Sequence, residues 1–126
     1  TDLNFAAFYQ NHIESKSIFT ISSFERIHIN DYGVLEVSPN NTLSGFTEKP
    51  SYKFEVSMGV YMANKEILNF IPDESAYGFD NLMYDLLDVE RNVNVKKHEN
   101  YWLDIGRPDD YEQAALDYDF IIKNSL

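Results

Sequence analysis

Cysteine is absent from this 126-residue sequence, and basic side chains are scarce. Without cysteine the chain has no disulfide, no zinc–thiolate cluster and no cysteine nucleophile, and a cytoplasmic location is the simplest expectation. Lys and Arg number 10 against 21 Asp and Glu, which gives a net charge of −11. Because nucleic acids and anionic membranes repel such a surface, neither is expected as a partner. Any phosphate-binding site must therefore be local.

Long apolar runs, linkers and internal repeats are missing as well. No run approaches the roughly 18 apolar residues of a membrane-spanning helix, and the first residues do not resemble a signal peptide. A hydrophobic content of 44% is sufficient for one buried core at this length. The sequence begins without a methionine, so we expect a fragment, and we predict that residues 1–126 form a single, partial domain.

Helices and strands are predicted to alternate along the first part of the chain. Apolar residues at helical spacing predict an amphipathic helix over residues 1–16. β-Branched and aromatic residues predict a buried strand over residues 17–24, and a helix followed by a strand suggests a βαβ unit. Proline and asparagine within residues 38–41 predict a turn, so residues 33–37 and 42–47 are expected to form a β-hairpin.

The pattern of apolar residues continues in the second part. Residues 54–63 are predicted to form the central strand, in which Gly59 marks a bulge or a close approach to the backbone. Short helices are expected over residues 64–71 and 80–90, followed by a half-exposed strand over residues 92–99. The inward stripe of the second of these helices is predicted to be Leu82, Met83, Leu86 and Leu87.

Asp104 is a candidate for metal chemistry. Residues 101–106 are predicted to form a strand that ends in a turn, ahead of a helix that begins at Pro108. A carboxylate at a strand end, together with phosphate oxygens of a substrate, suits Mg²⁺. The alternative is that Asp104 caps the following helix.

Glu48 and Lys49 form a second candidate, in a charged turn after the hairpin. A lysine can donate hydrogen bonds to a phosphate, and a neighbouring carboxylate can accept them from sugar hydroxyls. On spacing alone, a solvated turn with a salt-bridging lysine is the commoner interpretation.

The other titratable groups carry no recognisable chemistry. The spacing of His12, His28 and His98 is not that of metal ligands, and none has a matched acidic partner, so all three are predicted to be solvated. Asp109 and Asp110 are expected to interact with the dipole of the last helix. The sequence contains no serine nucleophile elbow.

Four short motifs occur in order along the chain. They are Tyr32-Gly33-Val34, Gly45-Phe46-Thr47-Glu48-Lys49-Pro50, Ser57-Met58-Gly59-Val60-Tyr61 and Tyr101-Trp102-Leu103-Asp104-Ile105-Gly106. Together they resemble the sugar-1-phosphate nucleotidylyltransferase family, in particular its mannose-1-phosphate and heptose-1-phosphate guanylyltransferase branch. The resemblance covers essentially the whole chain, which looks like the C-terminal half of the catalytic domain. It implies a Rossmann-like, GT-A-like α/β fold: an α/β/α sandwich with a mixed sheet and a protruding β-hairpin.

The resemblance also implies a reaction and a set of substrate-binding residues. A nucleotidyl group would pass from a nucleoside triphosphate, with GTP expected, to mannose or heptose 1-phosphate, releasing pyrophosphate without a covalent protein intermediate. Lys49 would hold the sugar phosphate, and Glu48 would accept hydrogen bonds from the sugar hydroxyls. Gly33, next to Tyr32, and Gly59 would let the sugar approach the backbone.

For the metal, the resemblance implies that Asp104 is one of two aspartates that bind Mg²⁺, with Trp102 packed beside it. The family's G-x-G-T-R-L loop, the lysine after it and the partner aspartate are not in this sequence. Asp2 is interpreted as a residue at the start of a helix. We therefore expect the sugar-phosphate half of the enzyme, inactive in isolation.

Two other interpretations remain at this point. The chain could be a catalytically silent regulatory or assembly module of the same fold, or an acidic ligand-binding domain with Lys49 on an anion. A fragment without the N-terminal half would expose a sheet edge and apolar surface, which would favour self-association into a homo-oligomer.

Overall fold

The computed structural model describes residues 1–73 and 76–118, which divide into two compact units. The first unit contains residues 1–24 and 57–118, and the second contains residues 25–56. No helix in these described ranges has the length and apolar character needed to cross a bilayer. In chain order the elements are α1 (Phe5–Ser15), β1 (Phe19–Ile29), β2 (Val34–Val37), β3 (Leu43–Thr47), β4 (Ser51–Ala63), a 3₁₀ helix (Lys65–Phe70), α2 (Phe79–Asp88), β5 (Val93–His98) and α3 (Pro108–Leu116).

Three strands form a mixed sheet in the order β4-β1-β5. β1 and β5 are parallel, with Phe19 opposite Val93. β4 is antiparallel to β1. The residue after the end of β4, Asn64, lies beside the residue before the start of β1, Ile18, and the Asn64 N–H donates to the Ile18 carbonyl at 2.9 Å. The prediction that residues 54–63 form the central strand is therefore wrong. β1 is central, and its buried polar residues Thr20, Ser22 and Ser23 made it look less buried than the more apolar β4.

Helices cover both faces of this sheet. α1 lies on the face of Thr20, whose hydroxyl is 2.8 Å from the His12 ring. α2 packs against Phe19, which points to the opposite face because successive side chains of a strand alternate. The core on that side is Ile18, Phe19, Ile67, Leu82 and Leu86. The predicted α/β/α sandwich is confirmed.

Two of the three histidines are buried, so the prediction that all are solvated is wrong. His12 is 3% exposed, and its ring also lies 3.2 Å from Asn64 Oδ1. His98 is 8% exposed and lies 2.9 Å from the Asp2 carboxylate. Only His28 is exposed. These partners lie 52 and 96 residues away along the chain, beyond the reach of a spacing argument.

The helix starts differ in detail from the predictions. α1 begins at Phe5, and Asn4 caps it by accepting a hydrogen bond from the Ala7 N–H at 2.9 Å. The interpretation of Asp2 as a helix-start residue is therefore wrong, because its carboxylate binds His98. In α2, Leu82 and Leu86 face the core as predicted, whereas Leu87 is 68% exposed.

The second unit contains the predicted β-hairpin. β2 and β3 are antiparallel, with Val34 opposite Thr47. The turn is closed by the Ser38 N–H, which donates to the Thr42 carbonyl at 3.0 Å, and Asn41 adopts a left-handed φ of 61°.

A half-buried tyrosine makes the stability of the fold sensitive to alkaline pH. The Tyr77 hydroxyl donates to Asp85 Oδ2 at 2.6 Å. Burial, helped by that hydrogen bond and by the charge of Asp85, raises the pKa of Tyr77 from 10.0 to about 12. Since the folded-state pKa lies above the unfolded one, the protonated hydroxyl stabilises the fold fully below pH 10. This stabilisation disappears as the pH rises through about 12.

We therefore expect the free energy of unfolding of Tyr77→Phe to fall less steeply than that of wild type between about pH 10 and 12. Tyr84→Phe, which alters a tyrosine that is 67% exposed on α2, the helix that carries Asp85, is the control. Urea unfolding at a series of pH values measures the difference. Equal slopes for wild type and Tyr77→Phe would contradict the expectation.

Candidate active site

A pocket of about 430 Å³ in the first unit brings together three of the predicted site residues. Gly59, Trp102 and Asp104 all line it. Its walls come from β4, from the start of α2 and from the segment between β5 and α3. The other lining residues are Ser57, Met58, Tyr61, Phe79, Leu103 and Ile105.

One wall of the pocket is aromatic. The rings of Tyr61 and Phe79 stack with centroids 4.6 Å apart and an interplanar angle of 17°. Phe19 lies against both rings, at 5.4 and 6.3 Å. The Tyr61 hydroxyl is 3.1 Å from Ser57 Oγ. An apolar surface with a few polar groups is typical of a small-molecule site. Phe79 was not predicted, because only the fold brings the start of α2 beside β4.

At Gly59 the pocket is lined by backbone atoms, because glycine has no side chain. Its φ is +77°, in the left-handed region that favours glycine, and a Cβ added there would meet no atom within 4 Å. The space beside it is therefore open, and no neighbouring side chain accounts for the glycine.

The segment that carries Asp104 is irregular, so the prediction of a strand over residues 101–106 is wrong. β5 already ends at His98, and the backbone of Tyr101 pairs with Asp2 instead of with a strand. The Tyr101 N–H donates to Asp2 Oδ1 at 3.0 Å, and the Asp2 N–H donates to the Tyr101 carbonyl at 3.2 Å. The following helix does begin at Pro108, as predicted.

The Asp104 side chain is exposed, and its Oδ1 accepts a hydrogen bond from the Gly106 N–H at 3.1 Å. It does not cap the next helix, whose N-cap residue is Arg107. Beside it, the half-buried Trp102 packs against Phe24 with ring centroids 5.4 Å apart. The carboxylate thus lies at the wall of a pocket on a segment anchored by an aromatic contact.

Among the residues that line this pocket, Asp104 is the carboxylate that could bind Mg²⁺. Within residues 1–73 and 76–118, no group of three or more His, Asp or Glu side chains could hold a metal ion. Mg²⁺, however, usually keeps several waters and takes one or two carboxylates plus substrate phosphate oxygens. Asp104 is suited to be such a carboxylate.

The other predicted site residues lie in the second unit, near the open end of the hairpin. Tyr32 is 79% exposed. A Cβ on Gly33 would lie 2.6 Å from the Phe46 ring and 3.1 Å from Glu48 Oε2, so these two side chains pack closely over the backbone of Gly33. Lys49 has a left-handed φ of 43°.

An ion pair in this unit involves a different lysine. Lys53 Nζ pairs with Glu25 at 2.9 Å, whereas Lys49 forms no ion pair within the described part of the chain. Lys49 is exposed, as expected of a solvated turn, but the described residues give it no salt bridge.

Comparison with known proteins defines the family. Residues 1–119 match the family model described as Nucleotidyl transferase, and the chain therefore belongs to this family. The predicted resemblance is confirmed at the level of the family.

The sequence identity to individual relatives is low. The chain is 30% identical over 112 residues to the bifunctional sugar-1-phosphate nucleotidylyltransferase/acetyltransferase of Sulfurisphaera tokodaii, an alignment that covers 80% of this chain and 28% of that protein. It is 26% identical over 92 residues to the mannose-1-phosphate guanyltransferase of Kluyveromyces lactis, covering 69% of this chain and 25% of that protein.

Among solved structures, HddC from Yersinia pseudotuberculosis has the same fold, with a TM-score of 0.59 at 22% identity. The match covers 93% of this chain and 50% of HddC. The chain thus spans half of this structure and less than a third of the two curated relatives.

Proposed function

We propose that this chain supplies the sugar-phosphate half of a sugar-1-phosphate nucleotidylyltransferase. The observation that carries the proposal is the pocket of about 430 Å³, in which an exposed carboxylate, Asp104, lies with three aromatic side chains in a member of the Nucleotidyl transferase family. The aromatic wall suits the apolar face of a sugar ring. The carboxylate suits a metal ion that accompanies phosphates.

In the proposed reaction, an oxygen of the sugar phosphate attacks the α-phosphorus of the triphosphate in line with the leaving group. The new P–O bond forms as the bond to pyrophosphate breaks. Because the attacking oxygen is already anionic near neutral pH, no side chain has to remove a proton. The work of the protein is to position two anions and to offset their charge.

The residues of this chain would divide that work. Lys49 would donate hydrogen bonds to the sugar phosphate, and Glu48 would accept them from sugar hydroxyls. Asp104 would hold Mg²⁺, which when bound neutralises phosphate charge. Gly59 would leave space for the sugar beside the β4 backbone.

We further propose GTP and mannose or heptose 1-phosphate as the substrates. The support is the order of the four motifs and the similarity to the mannose-1-phosphate guanyltransferase of Kluyveromyces lactis.

The test is an assay of the full-length protein that contains this chain, with four nucleoside triphosphates and a panel of sugar 1-phosphates. We expect Mg²⁺-dependent pyrophosphate release, highest with GTP and mannose or heptose 1-phosphate.

Lys49→Gln should raise the KM for the sugar phosphate by about tenfold or more, because a hydrogen bond to a charged group is lost. Lys53→Gln, in the same unit, is the matched control.

No pyrophosphate release with any pair would overturn the proposal. If the protein then still bound a sugar 1-phosphate in calorimetry, it would be the silent regulatory or assembly module.

A further inference from the structure

We propose that Asp110 is a positioning residue that holds Asp104 in place for its ligand. The inference rests on the proposed function, which gives Asp104 its task. Asp110 lies in the first turn of α3 and is only 6% exposed, whereas its neighbour Asp109 is exposed. A buried carboxylate is unfavourable unless it is well hydrogen-bonded, so its contacts require an explanation.

The contact that provides one joins the two aspartates directly. The Asp104 N–H donates to Asp110 Oδ2 at 2.7 Å, across six residues of chain. A bond this short to an ionised acceptor is charge-assisted and stronger than a neutral one. The Asp110 carboxylate lies at the N-terminus of α3, where the helix dipole favours a negative charge.

The remaining polar groups of Asp104 are held within the same turn. Its carbonyl accepts from the Arg107 N–H at 2.9 Å, and its Oδ1 accepts from the Gly106 N–H at 3.1 Å. In the part of the chain that the structure describes, Oδ2 of Asp104 has no hydrogen-bond partner. The geometry therefore fixes the backbone and one carboxylate oxygen of Asp104 and leaves the other oxygen for a ligand.

Helix stabilisation alone does not account for Asp110. Asp109 also lies in the first turn and can interact with the dipole while fully hydrated. Residues 101–104 have no strand partner in the described chain, and other contacts of this segment act on Tyr101, through Asp2 and Asp117, and on Trp102, through Phe24. In the described chain, Asp110 is the side chain that bonds to the backbone of Asp104 itself.

The experiment compares Asp110→Asn with Asp109→Asn in the full-length protein. Both variants remove one negative charge from the same helical turn, but only the first alters the bond to Asp104. The first readout is hydrogen exchange of the peptide that contains residues 103–106, measured against a peptide from β1. We expect exchange of the loop to be about tenfold faster in Asp110→Asn, with β1 unchanged, because a charge-assisted hydrogen bond is weakened.

The second readout is the Mg²⁺ concentration that gives half-maximal pyrophosphate release. Groups that orient a metal ligand typically contribute about 10- to 100-fold to metal affinity, so Asp110→Asn should raise this concentration by that factor. Asp109→Asn should change it less than about twofold, as expected of an exposed substitution.

Three results would overturn the inference. In the first, Asp110→Asn behaves like Asp109→Asn, while Asp104→Asn still abolishes the Mg²⁺ dependence; the proposed function then stands. In the second, β1 exchanges faster to the same degree as the loop, which identifies a loss of global stability instead of positioning. In the third, Asp104→Asn leaves Mg²⁺ dependence intact, and the role of Asp104 in the proposed function fails as well.

Discussion

Replacing Asp104 by asparagine in the full-length protein is expected to lower the rate of nucleotidyl transfer by about 10²- to 10³-fold. The reason is that asparagine keeps an oxygen at the pocket wall but removes the negative charge that a hard cation prefers. Charge stabilisation by a bound metal ion contributes several kcal/mol to such a reaction, and each 1.4 kcal/mol corresponds to about a factor of ten.

The measurement is kcat at saturating nucleotide and sugar phosphate, with Mg²⁺ varied. Since Asp104 is exposed, the melting temperature should change little, and a thermal scan separates lost chemistry from lost fold. Asp109→Asn serves as the matched control for charge. If Asp104→Asn had the kcat of wild type, Asp104 would have no role in the reaction.

Replacing Leu86 by alanine is expected to destabilise the fold by about 2–5 kcal/mol. Leu86 is 0% exposed and belongs to the core cluster between α2 and β1, so the shorter side chain leaves a cavity that its neighbours can fill only partly. For a domain of ordinary stability this is a large fraction of the total free energy of unfolding.

Leu87 supplies the matched control, because it is the next residue, has the same side chain and is 68% exposed. Leu87→Ala should change the free energy of unfolding by about 0.5 kcal/mol or less. Urea unfolding followed by circular dichroism measures both variants. Equal losses would mean that α2 presents a different face to the sheet.

The comparison of these two leucines shows why the predicted stripe of α2 was only partly correct. Helical spacing places Leu82 and Leu86 on one face, and Leu87 is 100° further round the helix. A stripe of four apolar residues is wide enough to include it. Only the position of the partner surface decides which edge of that stripe is exposed, and here the partner is β1 with Ile18 and Phe19.

The failed prediction for residues 101–106 has a similar cause. The run of Tyr101, Trp102 and Leu103 has the composition of a strand, yet a strand needs a neighbour with unpaired backbone groups. The backbone of Tyr101 pairs with Asp2, which lies 99 residues earlier in the chain. No local pattern contains that partner.

The sequence by itself determined the features whose causes lie within a few residues of one another. Pro108 sets the start of α3, the turn after Val37 sets the hairpin, and the order of the four motifs identifies the family. Each depends on backbone dihedrals or on residue identity, which are local properties.

The tertiary structure alone decided how the polar groups pair. It placed His12 against Thr20 and His98 against Asp2, and it turned the buried carboxylate of Asp110 onto the backbone of Asp104. The physical reason is that a buried polar group must find a hydrogen-bond partner wherever the fold supplies one, and the fold supplies it without regard to distance along the chain.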